Sequence, residues 1–158
     1  MNLNEYVMYE NIDVSSFFDN ISKKLKTIHN NGLIVRNLNC NQIRIDDDLS
    51  FENIGESQNF EQEKRENLIT LSKIMIGLVL STGNTFRDFS YVDDDWFIKN
   101  FDNIFSVINI NDFDKEYFNS LYFEGKDMYY CDYLAEKKKQ EELAGRENVN
   151  SYRKVLRT

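Results

Sequence analysis

Residues 66–81 hold the most apolar stretch of the chain, with Leu68, Ile69, Leu71, Ile74, Met75, Ile76, Leu78, Val79 and Leu80. On a 3.6-residue period these positions leave almost no polar face, and a helix that is apolar nearly all round has to be covered on every side. No run of 18 apolar residues exists, so the stretch predicts a central buried helix and not a membrane span. Everything else in a chain of 158 residues must then supply the cover, which a single domain of this length can do.

The flanking patterns say what the cover is made of. Glu5 to Glu10 mixes aromatic and β-branched residues and predicts a short strand. Asp13 to Ser16 offer N-caps, and Phe17, Phe18, Ile21, Leu25 and Ile28 then recur at amphipathic-helix spacing. Asn30-Asn31-Gly32 stops that helix, since Asn and Gly tolerate the left-handed conformation at a C-terminus. Leu33-Ile34-Val35 is a buried apolar run. Gln42–Ile45 and Leu49–Glu52 alternate around Asp46-Asp47-Asp48, which predicts a small β-hairpin with an acidic turn. Gly83 should end the central helix, a loop follows to Asp93-Asp94-Asp95, and helices are expected over 96–107, 114–124 and 129–143. Strand, helix, hairpin, buried helix and further helices make an α+β fold, mostly α-helical.

Charge narrows the function classes. The chain carries 27 acidic against 19 basic residues, a net of −8. Residues 134–158 hold seven basic and four acidic side chains, so an acidic body of −11 (residues 1–133) ends in a helical tail of +3. Such a body has no basic face to release counterions from nucleic acid, so nucleic-acid binding is not expected of it. The tail is either a solvated helix or a docking segment. If it docks, its contact residues are Lys137, Lys138, Lys139, Arg146, Arg153, Lys154 and Arg157. Cys40 and Cys131 are too few for a disulfide framework and fit a reducing compartment, and the N-terminus lacks the regions of a signal peptide, so an intracellular location is expected. Twenty asparagines, two alanines and no proline are the signature of an AT-rich genome.

One stretch is more specific. His29-Asn30-Asn31-Gly32-Leu33-Ile34-Val35-Arg36-Asn37-Leu38-Asn39-Cys40-Asn41-Gln42-Ile43 resembles the protein-kinase catalytic loop, written roughly LHxxGIxHRDLKPxNIL, without a gap. Asn53-Ile54-Gly55 resembles the DFG motif. Asn67 to Gly83 resembles the long central helix that follows the activation segment, and Tyr6 to Glu10 the segment leading to the hinge. The resemblance covers about residues 5–83. It implies a kinase C-lobe with no N-lobe before it and a shortened activation segment.

The same resemblance implies loss of catalysis. The position of the proton-accepting Asp is Asn37, that of the magnesium-binding Asn is Gln42, and that of the DFG Asp is Asn53. An amide is no general base, and Mg²⁺ demands near-ideal octahedral oxygen geometry. Arg44 stands where an apolar residue would lie under adenine. Val35 and Asn67 replace a His–Asp pair, which is expected to be lost together, leaving Val35 and Ile54 to pack as an apolar spine. Arg36 is expected to pair with a carboxylate such as Glu52 or Glu56. His29 is the sole histidine and reads as structural, as does Cys40; the Asp46–Asp48 run reads as a solvated turn and Asp93–Asp95 as a helix cap. Trp96, Phe97, Phe101, Phe105 and Phe113 read as mostly core.

The expectation is therefore a non-catalytic, pseudokinase-like interaction or structural protein with no cofactor, no membrane partner and a protein partner or larger assembly to dock on. The composition would suit a virus or phage particle. Two other readings stand beside it: a small phosphotransferase-like enzyme whose metal is held by Asp46–Asp48 or Glu52, and a regulatory decoy that binds a host kinase.

Overall fold

The computed structural model describes residues 1–6, 13–46, 48–80, 88–107 and 112–157. Its first element is a short helix α1 (Leu3–Tyr6), held by the Asn2 side chain accepting the Glu5 amide at 2.9 Å. The strand expected over 5–10 is thus replaced by helix up to Tyr6, and the remainder of that expectation lies outside the described residues. Met1 and Asn2 instead extend the hairpin: the Ile45 amide donates to the Met1 carbonyl at 2.8 Å, and Asn2 bridges Arg44.

Helix α2 (Val14–Asn30) starts where its sequence says. The Asp13 carboxylate accepts the Ser16 amide at 3.3 Å, and Phe18, Ile21, Leu25 and His29 turn inward. Burying each of the three apolar side chains contributes about 1.5–3 kcal/mol. Gly32 ends the helix at φ +76°, a conformation that costs a side chain dearly and glycine nothing. Strand β1 (Leu33–Val35) follows at once.

After a single 3₁₀ turn, Cys40–Gln42, β2 (Ile43–Ile45) and β3 (Leu49–Phe51) form the expected hairpin, with Ile43 opposite Phe51. A second two-stranded sheet was not expected. Strand β4 (Ile54–Glu56) pairs antiparallel with β1, placing Val35 opposite Ile54. The kinase-catalytic-loop-like and DFG-like segments are therefore neighbours.

Helix α3 (Phe60–Leu80) is the central helix, and from Leu71 to Leu78 every residue is buried. It begins six residues before the expected start. Glu61 and Glu63 oppose the positive end of its dipole, and Ser57 hydrogen-bonds the Glu63 carboxylate ahead of it. Its expected terminator, Gly83, lies outside the described residues.

The expected helix over 96–107 is two helices, α4 (Asp94–Lys99) and α5 (Phe101–Val107), broken at Asn100, whose amide donates back to the Trp96 carbonyl. Asp93 caps α4 through the Trp96 amide at 3.2 Å. Helix α6 (Asp112–Tyr122) then adds Tyr117, Phe118 and Tyr122 to an aromatic layer with Phe97 and Phe101, ring centres 5.3–6.5 Å apart. Trp96, by contrast, is half exposed, and the side chains of Phe105 and Phe113 lie outside the description.

Helix α7 (Tyr130–Arg157) runs unbroken across residues 133 and 134, where the charge changes sign. Its first turns lie on α2. The Cys131 amide donates to Ser22 Oγ at 3.1 Å, and Lys26 meets Asp132 at 2.7 Å. The fold is α+β and mostly helical.

Candidate functional site

The site is built where α2, β1, β4 and α3 converge. Asn67, buried in the second turn of α3, reads both polar groups of Val35 with one amide. Its Nδ2 donates to the Val35 carbonyl at 2.8 Å, and its Oδ1 accepts the Val35 amide at 2.9 Å. That fixes the orientation of the amide, so the His29 Nε2–H must donate to the same Oδ1 at 3.1 Å. His29 Nδ1 is left as acceptor for the Tyr129 hydroxyl at 2.8 Å. Burial lowers the His29 pKa and pushes Tyr129 up to about 12, so both are neutral and the tautomer is set. The polar link between β1 and the central helix is thus kept, contrary to the expectation that it is lost with the His–Asp pair. The amide reaches the main chain and needs no side-chain partner on β1.

From this frame the loop Arg36–Gln42 emerges. The Arg36 amide donates to the Asn53 carbonyl at 3.0 Å, and Asn53 Nδ2 donates back to the Arg36 carbonyl at 3.1 Å. Asn37 and Asn53 both have left-handed backbones, at φ +52° and +63°, a region in which Asn is the best tolerated of the larger residues. Asn39 Nδ2 donates to the Asn37 carbonyl, and its Oδ1 accepts the Asn41 amide, both at 2.8 Å. The Gln42 carbonyl accepts the Glu52 amide at 2.7 Å and ties the loop to the hairpin. Asn39 and Asn53, which the resemblance aligns with the catalytic-loop Lys and the DFG Asp, and Asn67, which it aligns with the Asp of the His–Asp pair, all bind main chain.

Among the described residues Arg36 does not meet a carboxylate. Its Nη2 donates to the main-chain carbonyl of Glu56 at 2.7 Å, and the guanidinium lies on Gly55, where a Cβ would sit 3.0 Å from Cζ. Antiparallel pairing of β1 and β4 presents that carbonyl to the arginine, while the Glu52 carboxylate goes to Arg44 at 3.5 Å. The expected apolar spine is also corrected: Val35 is 1% exposed but Ile54, across the ladder, is 45% exposed. Val35 faces α3, and Ile54 is left half exposed on the other side of the ladder.

Beside the loop lies a groove of about 370 Å³, between Arg36, Asn37 and Leu38 on one wall and Glu63, Glu66 and Thr70 of α3 on the other. Its carboxylates are engaged locally, Glu63 by Ser57 and Glu66 by Gln62 Nε2 at 3.1 Å.

The acidic turn is engaged too. Asp46 meets the N-terminal ammonium at 3.0 Å and Asp48 meets Lys24 at 2.8 Å, and these partners hold both carboxyls below their ordinary range. Asp47 lies outside the described residues. Among the described residues no group of three His, Cys, Asp or Glu side chains is placed to hold a metal ion. Cys40 is a free, buried thiol whose pKa burial drives far upward, with Asp88 adding to the effect. No described helix is long and apolar enough to cross a membrane.

Of the basic residues singled out in the tail, Lys137 is half-buried and meets Glu116 at 3.7 Å, whereas Lys138 and Lys139 are exposed. Arg146, Arg153, Lys154 and Arg157 fall on the part of α7 whose side chains are not described.

Sequence reasoning missed Lys73. It is 1% exposed in the middle of α3, with Nζ donating to the Val92 carbonyl at 2.7 Å, pairing with the Asp94 carboxylate and lying 5.7 Å over the Phe97 ring. The signal was present, since Lys73 is the one charged residue among positions 68–80. Comparisons with family models, with curated proteins and with solved structures give no match.

Proposed function

We propose that this chain is a non-catalytic, kinase-like scaffold that acts by docking to protein partners in a larger assembly. The observation that carries the reading is the commitment of the loop amides. Asn37 and Asn53 occupy left-handed turns, and Asn53 closes the loop onto Arg36. A carboxylate at position 53 would lose that bond, and an amide there neither neutralises a cation nor takes a proton. Phosphoryl transfer rests on positioning and metal-held charge neutralisation, and the carboxylates of Glu52, Glu63, Glu66, Asp48 and Asp46 are engaged with Arg44, Ser57, Gln62, Lys24 and the N-terminus.

Docking is supported by the segregation of charge between an acidic body and a basic helix, and by the exposure of Lys138 and Lys139. Two buried free thiols fit a reducing setting. Together with the AT-rich composition this suits an intracellular protein or a component of a virus or phage particle.

The deciding experiment is thermal unfolding of the full chain with ATP and Mg²⁺ or Mn²⁺. No shift is expected. A ligand-dependent rise in Tm means a state that binds nucleotide and metal, and would replace this reading with a phosphotransferase-like one.

A further inference from the structure

We propose that α7 is a self-association arm, its basic stretch from Lys138 outward seating on the acidic groove of a second copy of this chain. The inference rests on the docking reading above and names the partner.

The argument starts from what α7 leaves uncovered. Tyr130 and Cys131 are buried against α2, but from Lys138 to Gly145 every residue is exposed, with Leu143 half bare. A helix segment without a packed face has little to hold it in water beyond intrinsic propensity. Onward from there the sequence becomes two-sided. Val149, Tyr152, Val155 and Leu156 recur at i, i+3, i+6 and i+7, the spacing of one helix face. Arg146, Arg153 and Arg157 recur at i, i+7 and i+11, the spacing of another. The basic face is the one suited to an acidic surface.

Charge complementarity identifies the receiver. The tail is +3 and the body −11. Between residues 52 and 66 the chain has five Glu against Lys64 and Arg65, and Arg65 is taken up by Asp127 at 2.8 Å. Of the five Glu, Glu63 and Glu66 stand on the wall of the groove between the Arg36–Leu38 loop and α3. The groove is the size of a long side chain or two, so it receives basic side chains of the arm while the helix lies across it. Arg36 is at the rim, but its guanidinium is drawn onto the Glu56 carbonyl and Gly55.

The pairing is between molecules. The first turns of α7 are pinned on α2 by the Lys26–Asp132 pair, the Ser22–Cys131 bond and the Ser15–Tyr130 contact. An unbroken helix held there does not fold back on its own body. A contact between unlike surfaces closes as a reciprocal pair or propagates head to tail.

The test is sedimentation velocity of the full chain across protein concentration, at about 50 mM and about 500 mM salt, because exposed charge pairs are screened within roughly a Debye length. Concentration-dependent association at low salt, weakened about tenfold or more at high salt, is expected. Lys138→Glu with Lys139→Glu should abolish it, and adding Glu66→Lys to that variant should restore it by swapping the charges. A chain that stays monomeric at low salt overturns the inference, as does association indifferent to these reversals. The wild-type concentration and salt series decides even where a variant fails to fold. Failure here is separate from failure of the non-catalytic reading, which only a nucleotide-dependent shift in Tm would bring about.

Discussion

Two adjoining regions treat their polar residues in opposite ways. At the α2–β1–α3 junction, His29, Asn67, Tyr129 and the Val35 main chain form a buried network. Directly after Val35, the loop from Arg36 to Gln42 carries four side-chain amides, but it is open to solvent at Arg36, Asn37 and Asn41, and its bonds run to main chain within the loop and on the segment from Glu52 to Glu56. The junction holds chain segments to the buried helix; the loop is tied at its two ends to the exposed segment from Glu52 to Glu56 and braced within by Asn39. The same residue type, asparagine, is a structural anchor in one and a turn former in the other. Mutation should therefore separate them by size of effect.

The largest effect is expected at Asn67. Asn67→Ala leaves a buried amide, a buried carbonyl and the His29 Nε2–H without partners, at about 1–3 kcal/mol for each group that water cannot reach. A total loss of at least about 3 kcal/mol, read as a Tm lower by roughly 10 °C, is the expected outcome. A change under about 1 kcal/mol would mean that the junction is no more rigid than the loop.

The second effect is a pH dependence. The folded pKa of His29 lies below its ordinary 6.5 because burial disfavours the imidazolium. The unfolded chain then binds the extra proton first as pH falls. Stability is fully present above about 6.5 and declines as pH drops through the window between the unfolded and folded values, at no more than about 1.4 kcal/mol per pH unit. Urea unfolding at several pH values should show this slope, and His29→Gln should flatten it. The carboxylates of Asp46, Asp48 and Glu124 are held low by their cation partners, so they act in a separate and lower window, below their ordinary 3.8–4.5. The loop has no titrating residue of the His29 kind.

The contrast also marks what the sequence could show. Local chemistry was legible: the Asp13 and Asp93 caps, the Gly32 stop, the acidic hairpin and the buried core of α3 each rest on residues within a few positions of one another. Relations across the chain were not. Asn67 lies 38 residues from His29, and Tyr129 lies 100 from it, so no spacing announces the network. Lys73 showed as an anomaly, but its partners Val92 and Asp94 appear only when α4 folds against α3. The early start of α3 was hidden because Glu61 to Arg65 is a polar run that reads as loop, although acidic residues suit a first helical turn. Arg36 went to a carbonyl because strand pairing, invisible in one sequence, put one there.

Within the loop, Asn53 should matter more than Asn37. Asn53→Asp removes the donor to the Arg36 carbonyl and sets a carboxylate against it, for an expected loss of about 1 kcal/mol in denaturant unfolding. Gly55→Ala should cost a similar amount, about 1 kcal/mol, because the new methyl displaces the Arg36 guanidinium from its place on the strand. Loss of 3 kcal/mol or more at either position, about the size expected at Asn67, would join the loop to the junction as one rigid unit.

The smallest effects belong to Asn37, and they isolate backbone from chemistry. Its side chain is exposed and its φ is +52°. Asn37→Gly keeps the turn at no steric cost and should change stability by no more than about 0.5 kcal/mol. Asn37→Ala should cost about 1 kcal/mol, since a Cβ without a local hydrogen-bonding group is less at home in that region. Asn37→Asp tolerates the same backbone, so it should fold like the parent while placing a carboxylate where the kinase resemblance puts the proton acceptor. If the loop is only a turn, that variant will still show no Tm shift with ATP and Mg²⁺, because Gln42 and Asn53 remain neutral amides and no anionic metal site is made. A shift produced by this one substitution would show that the loop retains the geometry of a catalytic site and that only its charge is missing.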